Sequence, residues 1–435
     1  MIEWGEIENR LTSFRKDVAS ASLYKNIISL VTNSFLASIL GFVFVTVTTR
    51  IVSTAEVGIY STIIAVVGLL ALLSKFGLDI GLVRYLPRSK DSNSLINSCF
   101  IIGIFTSTLL SIVFILGADY WVPSLTYTLS QPIFSFSFIG TVVLSVLIGF
   151  QMNIFVSRRS TKYLIIRDSA NNGLKIALTI ALVMISIQIS AVDLFYIHGF
   201  ALLISLYLGF ILLKKVKTDY LAALEIDFSQ IKMMVKFSLG TYISSLMGTG
   251  AQLALPLLVL NTLGAENTAY FYIAWTLRNL IEVIPGAIST SLFAEGVNCP
   301  RDLYYNAKKS IVVSYLIAIP VIIAITVFGS SFLLIFGESY AQNSYYLLVL
   351  FAASVLFSSA NQVIYNIKLV NTDIRFILLY TGVSGLGLLL FSSIFMSLLG
   401  LIGVGLGLMV SQGILLIMIL AISRVQGHRR VKVVG

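Results

Sequence analysis

Two pairs of opposite charges stand four residues apart inside apolar stretches of this chain: Lys75 with Asp79, and Arg278 with Glu282. On a helix that spacing brings the two side chains side by side. Two further cations, Arg50 and Lys175, also interrupt apolar runs. A charge at the centre of a bilayer costs at least about 2.5 to 3.5 kcal/mol, so it faces protein, a counter-charge or a water-filled cavity. Arginine's planar fork suits two-point contact with carboxylate or phosphate, whereas lysine offers a point charge. The chemistry open to this set is electrostatic. Lys75 and Arg278 can serve as structural ion pairs or hold an anion, with Asp79 and Glu282 as partners or coupling groups. Arg50 and Lys175 can hold an anion or snorkel to the interface. Bond-making chemistry finds no support: the outer connections supply no paired carboxylates, no nucleophile with a base and no metal cluster. Cys99 and Cys299 are too few for a disulfide framework or a zinc site. No cofactor or metal is expected, and His198, alone in its apolar run, reads as packed.

The elements that position these residues are transmembrane helices. The 435-residue chain is 57% hydrophobic and only 11% charged, with a mean hydropathy of +0.96, against about a quarter charged residues in soluble domains. Apolar runs long enough to span a bilayer recur throughout. About twelve spans are expected, centred near residues 38, 68, 106, 144, 178, 202, 248, 279, 318, 356, 387 and 412. Arg278 then lies roughly 18 Å into the eighth span, near the midplane. Lys75 falls near the inner end of the second, Lys175 about two turns inside the fifth, and Arg50 at the outer mouth. Pro256, Pro285 and Pro320, with Gly248 and Gly250, interrupt spans; they fit either hinges or the ordinary tolerance of membrane helices for such residues.

The net charge of +10 is a topology signal and does not point to nucleic acid. Every lysine and arginine other than Arg50, Lys75, Lys175 and Arg278 falls in segments that share one side with the N-terminus, among them Arg84, Arg158, Lys214, Lys308 and Arg375. The opposite connections carry Glu56, Asp119, Asp193, Glu266 and Glu338. The positive-inside rule therefore makes both termini cytoplasmic in a multi-pass cell-membrane protein. The N-terminal stretch contains Glu3, Glu6 and Glu8 and no continuous apolar core, unlike a signal peptide. Trp4, Ile7, Leu11, Phe14 and Val18 fit an amphipathic helix lying in the membrane plane or a solvated tail.

A shift of 210 positions lays TAEVGIYSTI (Thr54 to Ile63) on GAENTAYFYI (Gly264 to Ile273), matching Ala55, Glu56, Tyr60 and Ile63 with Ala265, Glu266, Tyr270 and Ile273. This agrees with two six-helix lobes of one orientation, a parallel pseudo-two-fold repeat. The expected organisation is an amphipathic tail (1–26), an N-terminal lobe (27–213), a cytoplasmic linker (214–235), a C-terminal lobe (236–423) and a basic tail (424–435). Ser53 and Glu56 have capping-box spacing, in which Glu56 reaches back to the Ser53 amide.

TRIVSTAEVGIYSTI (Thr49 to Ile63) followed by FGLDIGLVRYLPRS (Phe76 to Ser89) resembles the first hairpin of polysaccharide-biosynthesis flippases of the multidrug/oligosaccharidyl-lipid/polysaccharide (MOP) superfamily. The likeness extends through NIFVSRRSTKYLIIRDSANNGLKIALTIAL, DFSQIKMMVKFSLGTYISSL and LLGLIGVGLGLMVS; one departure is Gly240, where family members often carry proline. The resemblance implies two lobes around a cavity that opens alternately to each side, and a polyprenyl-phosphate- or pyrophosphate-linked glycan as cargo. It also implies cavity cations in the first hairpin of each lobe, which favours Arg50 and Arg278 as binding residues. The expected function is flipping of that lipid from the cytoplasmic to the outer leaflet, within the bilayer and alongside glycan-assembly enzymes. A multidrug antiporter of the same superfamily, a membrane-embedded glycosyltransferase or polymerase, and a non-transporting scaffold are the alternatives. The topology has a direct test. Cysteines placed at Asp119, Asp193 or Glu338 should react with an impermeant reagent outside intact cells, and labelling of Lys215→Cys there would overturn the orientation.

Overall fold

The computed structural model describes the backbone of residues 4–89, 91–185, 188–216, 220–298, 303–370 and 374–431. Among these residues every regular element is helical. Ten helices among the described residues are long and apolar enough to cross a membrane. They lie within α1 (Trp4–Ile51), α2 (Thr54–Ser74), α3 (Ser92–Leu116), α4 (Pro132–Ser157), α6 (Ala191–Val216), α7 (Phe228–Leu263), α9 (Leu303–Leu333), α10 (Tyr345–Val370), α11 (Ile374–Leu399) and α12 (Leu401–Val431). Two more, α5 (Lys162–Met184) and α8 (Ala265–Asn298), have the length but fall outside that set. α5 carries Lys162, Arg167, Asp168 and Lys175, and α8 carries Glu266, Arg278, Glu282 and Glu295. The two helices richest in buried charge are thus the ones whose membrane signal is weakest.

Helix α1 runs unbroken from Trp4, without the corner that an in-plane N-terminal helix would require. No glycine or proline stands between Glu6 and Leu40 to end it. The side chains of Trp4, Ile7, Leu11, Phe14 and Val18 lie outside the described residues, as do Lys90, Lys217, Cys299 and Arg301. Proline does not end α7, α8 or α9, each of which continues through Pro256, Pro285 or Pro320. The interruption in α7 comes instead from a π-helical turn, Leu246–Gly250, whose backbone approaches Gly385 of α11.

Packing follows a pattern that occurs twice. Helix α1 lies against α5, α2 against α4, α4 against α6, and α5 against α6; likewise α7 lies against α11, α8 against α10, α10 against α12, and α11 against α12. Between these sets α2 packs on both α7 and α8. At the basic end the Tyr242 hydroxyl of α7 donates to the Leu73 carbonyl at 2.8 Å. The linker before α7 is held by α3, where Asn97 Nδ2 donates to the Leu221 carbonyl at 3.0 Å and the Asp227 amide donates to Ser98 Oγ at 2.8 Å. Asp227 caps α7, and hydrogen bonds from Gln230 hold its carboxyl below the usual range.

At the lysine-poor end the two matching segments of the sequence face each other. A Cβ on Gly58 would stand 1.8 Å from the Ala265 carbonyl oxygen, so glycine is what permits α2 and α8 to meet so closely. Val57, Tyr60, Ala269, Tyr270 and Ile273 pack into one buried cluster across that contact. Only half of the expected capping box forms. Ser53 Oγ accepts from the Glu56 amide at 3.4 Å, but the Glu56 carboxylate accepts from the Ala191 amide at 2.5 Å. Glu56 therefore caps α6, where unsatisfied N–H groups and a positive helix end attract it more strongly than one local amide does.

Candidate functional site

Arg278 is 4% exposed and its guanidinium is fully engaged. Nη1 lies 2.7 Å from Glu282 Oε2, Nη2 donates to Oε1 at 3.1 Å, and Nε donates to Ser354 Oγ at 3.4 Å. Gln362 Nε2 donates to the same Glu282 oxygen at 3.0 Å. The Trp275 ring, one turn earlier on α8, lies 5.1 Å from the guanidinium carbon. Ser354 and Gln362 belong to α10, so this cluster fastens α8 to α10. A two-point ion pair with every donor nitrogen engaged is a structural clamp in this conformation.

Lys75 lies just past the end of α2, where Phe76 and Gly77 take φ values of 47° and 76° and turn the chain into the short helix Leu78–Tyr85. Its Nζ is 3.4 Å from Asp79 Oδ2, both side chains being 18% exposed. Arg50 is exposed; its Nε donates to the Ile335 carbonyl at 2.7 Å and its Nη2 donates to that of Leu334.

Lys175 differs from the other three. It is buried, its Nζ stands 5.3 Å from the centroid of the Phe44 ring, and among the described residues no carboxylate lies within 4.0 Å of it. The His198 Nδ1 is 3.3 Å from the Tyr60 hydroxyl. His198 is thus packed against a partner. The four cations lie on separate elements and share no partner among the described residues.

One buried charge was not legible as such. Arg167 reads from the sequence as an inner-loop cation, yet it is 2% exposed. Its Nε bonds Asp168 Oδ1 at 2.8 Å and its Nη1 donates to the Ile148 carbonyl at 3.1 Å, while Asn33 Nδ2 donates to Asp168 Oδ2 at 2.9 Å. These contacts tie α5 to α4 and α1. The signal available was spacing: Arg167, Asn171 and Lys175 recur every four residues and form one polar stripe of α5. Two buried amides, Gln151 and Asn361, were also passed over. They donate to the carbonyls of Leu206 at 3.2 Å and Gln412 at 3.0 Å.

A family model described as polysaccharide biosynthesis protein matches residues 23–293, from α1 through most of α8. The chain belongs to that family. No protein of curated function matches it in sequence. In fold, this polysaccharide biosynthesis protein is similar to the lipid II flippase MurJ in an inward closed conformation, with a TM-score of 0.76, 13% identity, and 90% of this chain and 87% of that one covered. It is also similar to an inward-facing multidrug resistance MATE family transporter of the MOP superfamily (TM-score 0.72, 15% identity, 91% and 94% covered). An outward-facing MATE transporter gives a TM-score of 0.58 at 15% identity, with 92% and 95% covered.

The clamp reading of Arg278 makes a definite prediction for stability. Arg278→Ala leaves the half-buried Glu282 carboxylate beside Gln362 without a cation and should destabilise the protein by about 2 kcal/mol. Arg278→Ala with Glu282→Ala should recover most of that loss in thermal unfolding of the purified protein. Equal stability of the single and double variants would mean that the pair is no clamp.

Proposed function

We propose that this protein is a flippase that moves an anionic, polyprenyl-phosphate- or pyrophosphate-linked oligosaccharide from the cytoplasmic to the outer leaflet by alternating access. The observation that carries the reading is Lys175. Lys75, Arg167 and Arg278 are each neutralised by a carboxylate, whereas Lys175 is buried without one among the described residues. A desolvated ammonium that the protein leaves uncompensated is an electrostatic vacancy for an anion. Phosphate is the anion that a lipid-linked glycan brings, and membership of a polysaccharide biosynthesis family supplies the glycan.

In this reading α5 and α8 also cross the bilayer, making twelve spans in two six-helix lobes, 27–213 and 236–423, joined by the linker 214–235. The segments 1–26 and 424–435 are cytoplasmic tails. The recurrence of helix neighbours supports the repeat. So does the pair Gln151 and Asn361, which stand 210 positions apart and make the corresponding bonds, α4 to α6 and α10 to α12. Arg50, Lys75 and Arg278 are engaged in the present conformation and would reach a head group only after rearrangement. An inside-negative potential favours outward movement of two negative charges by roughly 4 to 5 kcal/mol per 100 mV. A multidrug antiporter would need a buried carboxylate free to take a cation, and Asp79, Asp168 and Glu282 each face a basic partner.

Binding of a polyprenyl-diphosphate-linked oligosaccharide to the purified protein, followed by native mass spectrometry, tests the role of Lys175. Lys175→Met should weaken binding at least about tenfold, the scale of one lost charge-assisted contact. The same change should leave thermal stability equal or higher, because a buried charge is removed. Unchanged binding with lowered stability would make Lys175 structural and defeat the reading.

A further inference from the structure

Arg50 ends α1, and its guanidinium lies across the end of α9. Nε donates to the Ile335 carbonyl at 2.7 Å and Nη2 to that of Leu334. Both carbonyls belong to the turn in which α9 finishes, where backbone acceptors have lost their helical donors. The Leu334 carbonyl receives one local bond, from the Gly337 amide at 3.2 Å, and the remaining capacity is filled from a residue 284 positions away.

The electrostatics make the placement selective. Two helices terminate at the same corner, and each C-terminus carries roughly half a negative charge. Left alone, these ends repel. One guanidinium between them turns the repulsion into attraction, and no carboxylate within 4.0 Å competes for it among the described residues. Phe42, two turns earlier on the same stripe of α1, packs on Phe332 and Phe336 with ring centroids 6.2 and 5.6 Å apart. Helices α1 and α9 are not among the pairs that pack closely along their lengths. Their meeting is confined to this corner, so it can break without unpacking either helix.

We infer that Arg50 is a latch: its guanidinium ties the C-terminal end of α1 to the terminal carbonyls of α9 and holds the lysine-poor end of the molecule shut. Phe336 and Tyr340, just past α9, share a buried cluster with Val57 and Tyr270, the neighbours of the Gly58–Ala265 contact, and the Tyr340 and Tyr270 rings lie 5.5 Å apart. The higher similarity to inward-facing than to outward-facing relatives fits a molecule closed there. Opening that end separates α1 from α9, which breaks both bonds and exposes two like helix termini to water. The latch biases the conformational equilibrium with or without substrate. It therefore stands or falls independently of the identity of the cargo.

The test is a distance measurement on protein in lipid nanodiscs without any glycolipid. Spin labels go on Tyr127→Cys, beyond α3, and Gln342→Cys, beyond α9, with Cys99 and Cys299 replaced by alanine. Pulsed electron paramagnetic resonance should report mainly the short separation for the parent. Arg50→Ala should raise the ratio of long to short separations about tenfold, the scale of losing charge-assisted hydrogen bonds at one site. Arg50→Lys, which keeps the charge but not the fork, should fall between. Because Arg50 is exposed, the variants are expected to remain monodisperse with unchanged unfolding temperatures. Identical distance distributions for Arg, Lys and Ala at this position would overturn the latch. So would a variant distribution that broadens only because the protein unfolds.

Discussion

The structure depends on one constraint: an ionised side chain inside a bundle of apolar helices must find a counter-charge or a reason to go without one. Arg278 meets it with Glu282, which Gln362 also holds, Arg167 with Asp168, which Asn33 also holds, and Lys75 with Asp79. The first two clusters also join helices, α8 to α10 and α5 to α4 and α1. Apolar packing between membrane helices gains little from the hydrophobic effect, since lipid tails are as apolar as leucine, so polar clamps add specificity that grease cannot. Against that background Lys175 is the exception. The proposed anion-binding role of Lys175 rests on that local inconsistency.

The stretch of polar residues after Arg50 has a structural purpose at the same end of the molecule. Ser53 caps α2, Glu56 caps α6, and Gly58 admits the backbone of Ala265. One short segment thereby caps the starts of two helices and sets how closely α2 meets α8. Its counterpart at Gly264 to Ile273 supplies the surface on which it packs. Arg50 completes the corner by bridging α1 and α9. Closure at this end rests on backbone proximity and a few directed hydrogen bonds, which favours a contact that opens and closes as a unit.

Much of this was legible from residue type and spacing. Long apolar runs revealed ten of the roughly twelve expected spans, and pairing at four-residue intervals anticipated both Lys75–Asp79 and Arg278–Glu282. What spacing could not reveal was the competition for each charged group. Glu56 had a local amide available and was taken instead by the start of α6, more than a hundred residues away. Arg167 sits beside basic loop residues, yet its helical phase turns it inward. Arg50 reads as a mouth cation open to ligand until α9 is seen to end beneath it. For Glu56 and Arg50 the deciding partner is a backbone group distant in sequence, and for Arg167 the adjacent Asp168 is itself held by Asn33 of α1.

The central claim, that an uncompensated Lys175 lets this protein carry an anionic lipid-linked glycan between leaflets, is tested most directly in proteoliposomes. The lipid is distributed over both leaflets, and a membrane-impermeant reagent that modifies its glycan is added outside. With the native protein the inner-leaflet share should become reactive, and with Lys175→Met at matched reconstitution it should stay protected on the same timescale. Protection of the inner leaflet by the native protein, or equal exposure by the Lys175→Met variant, would contradict the account.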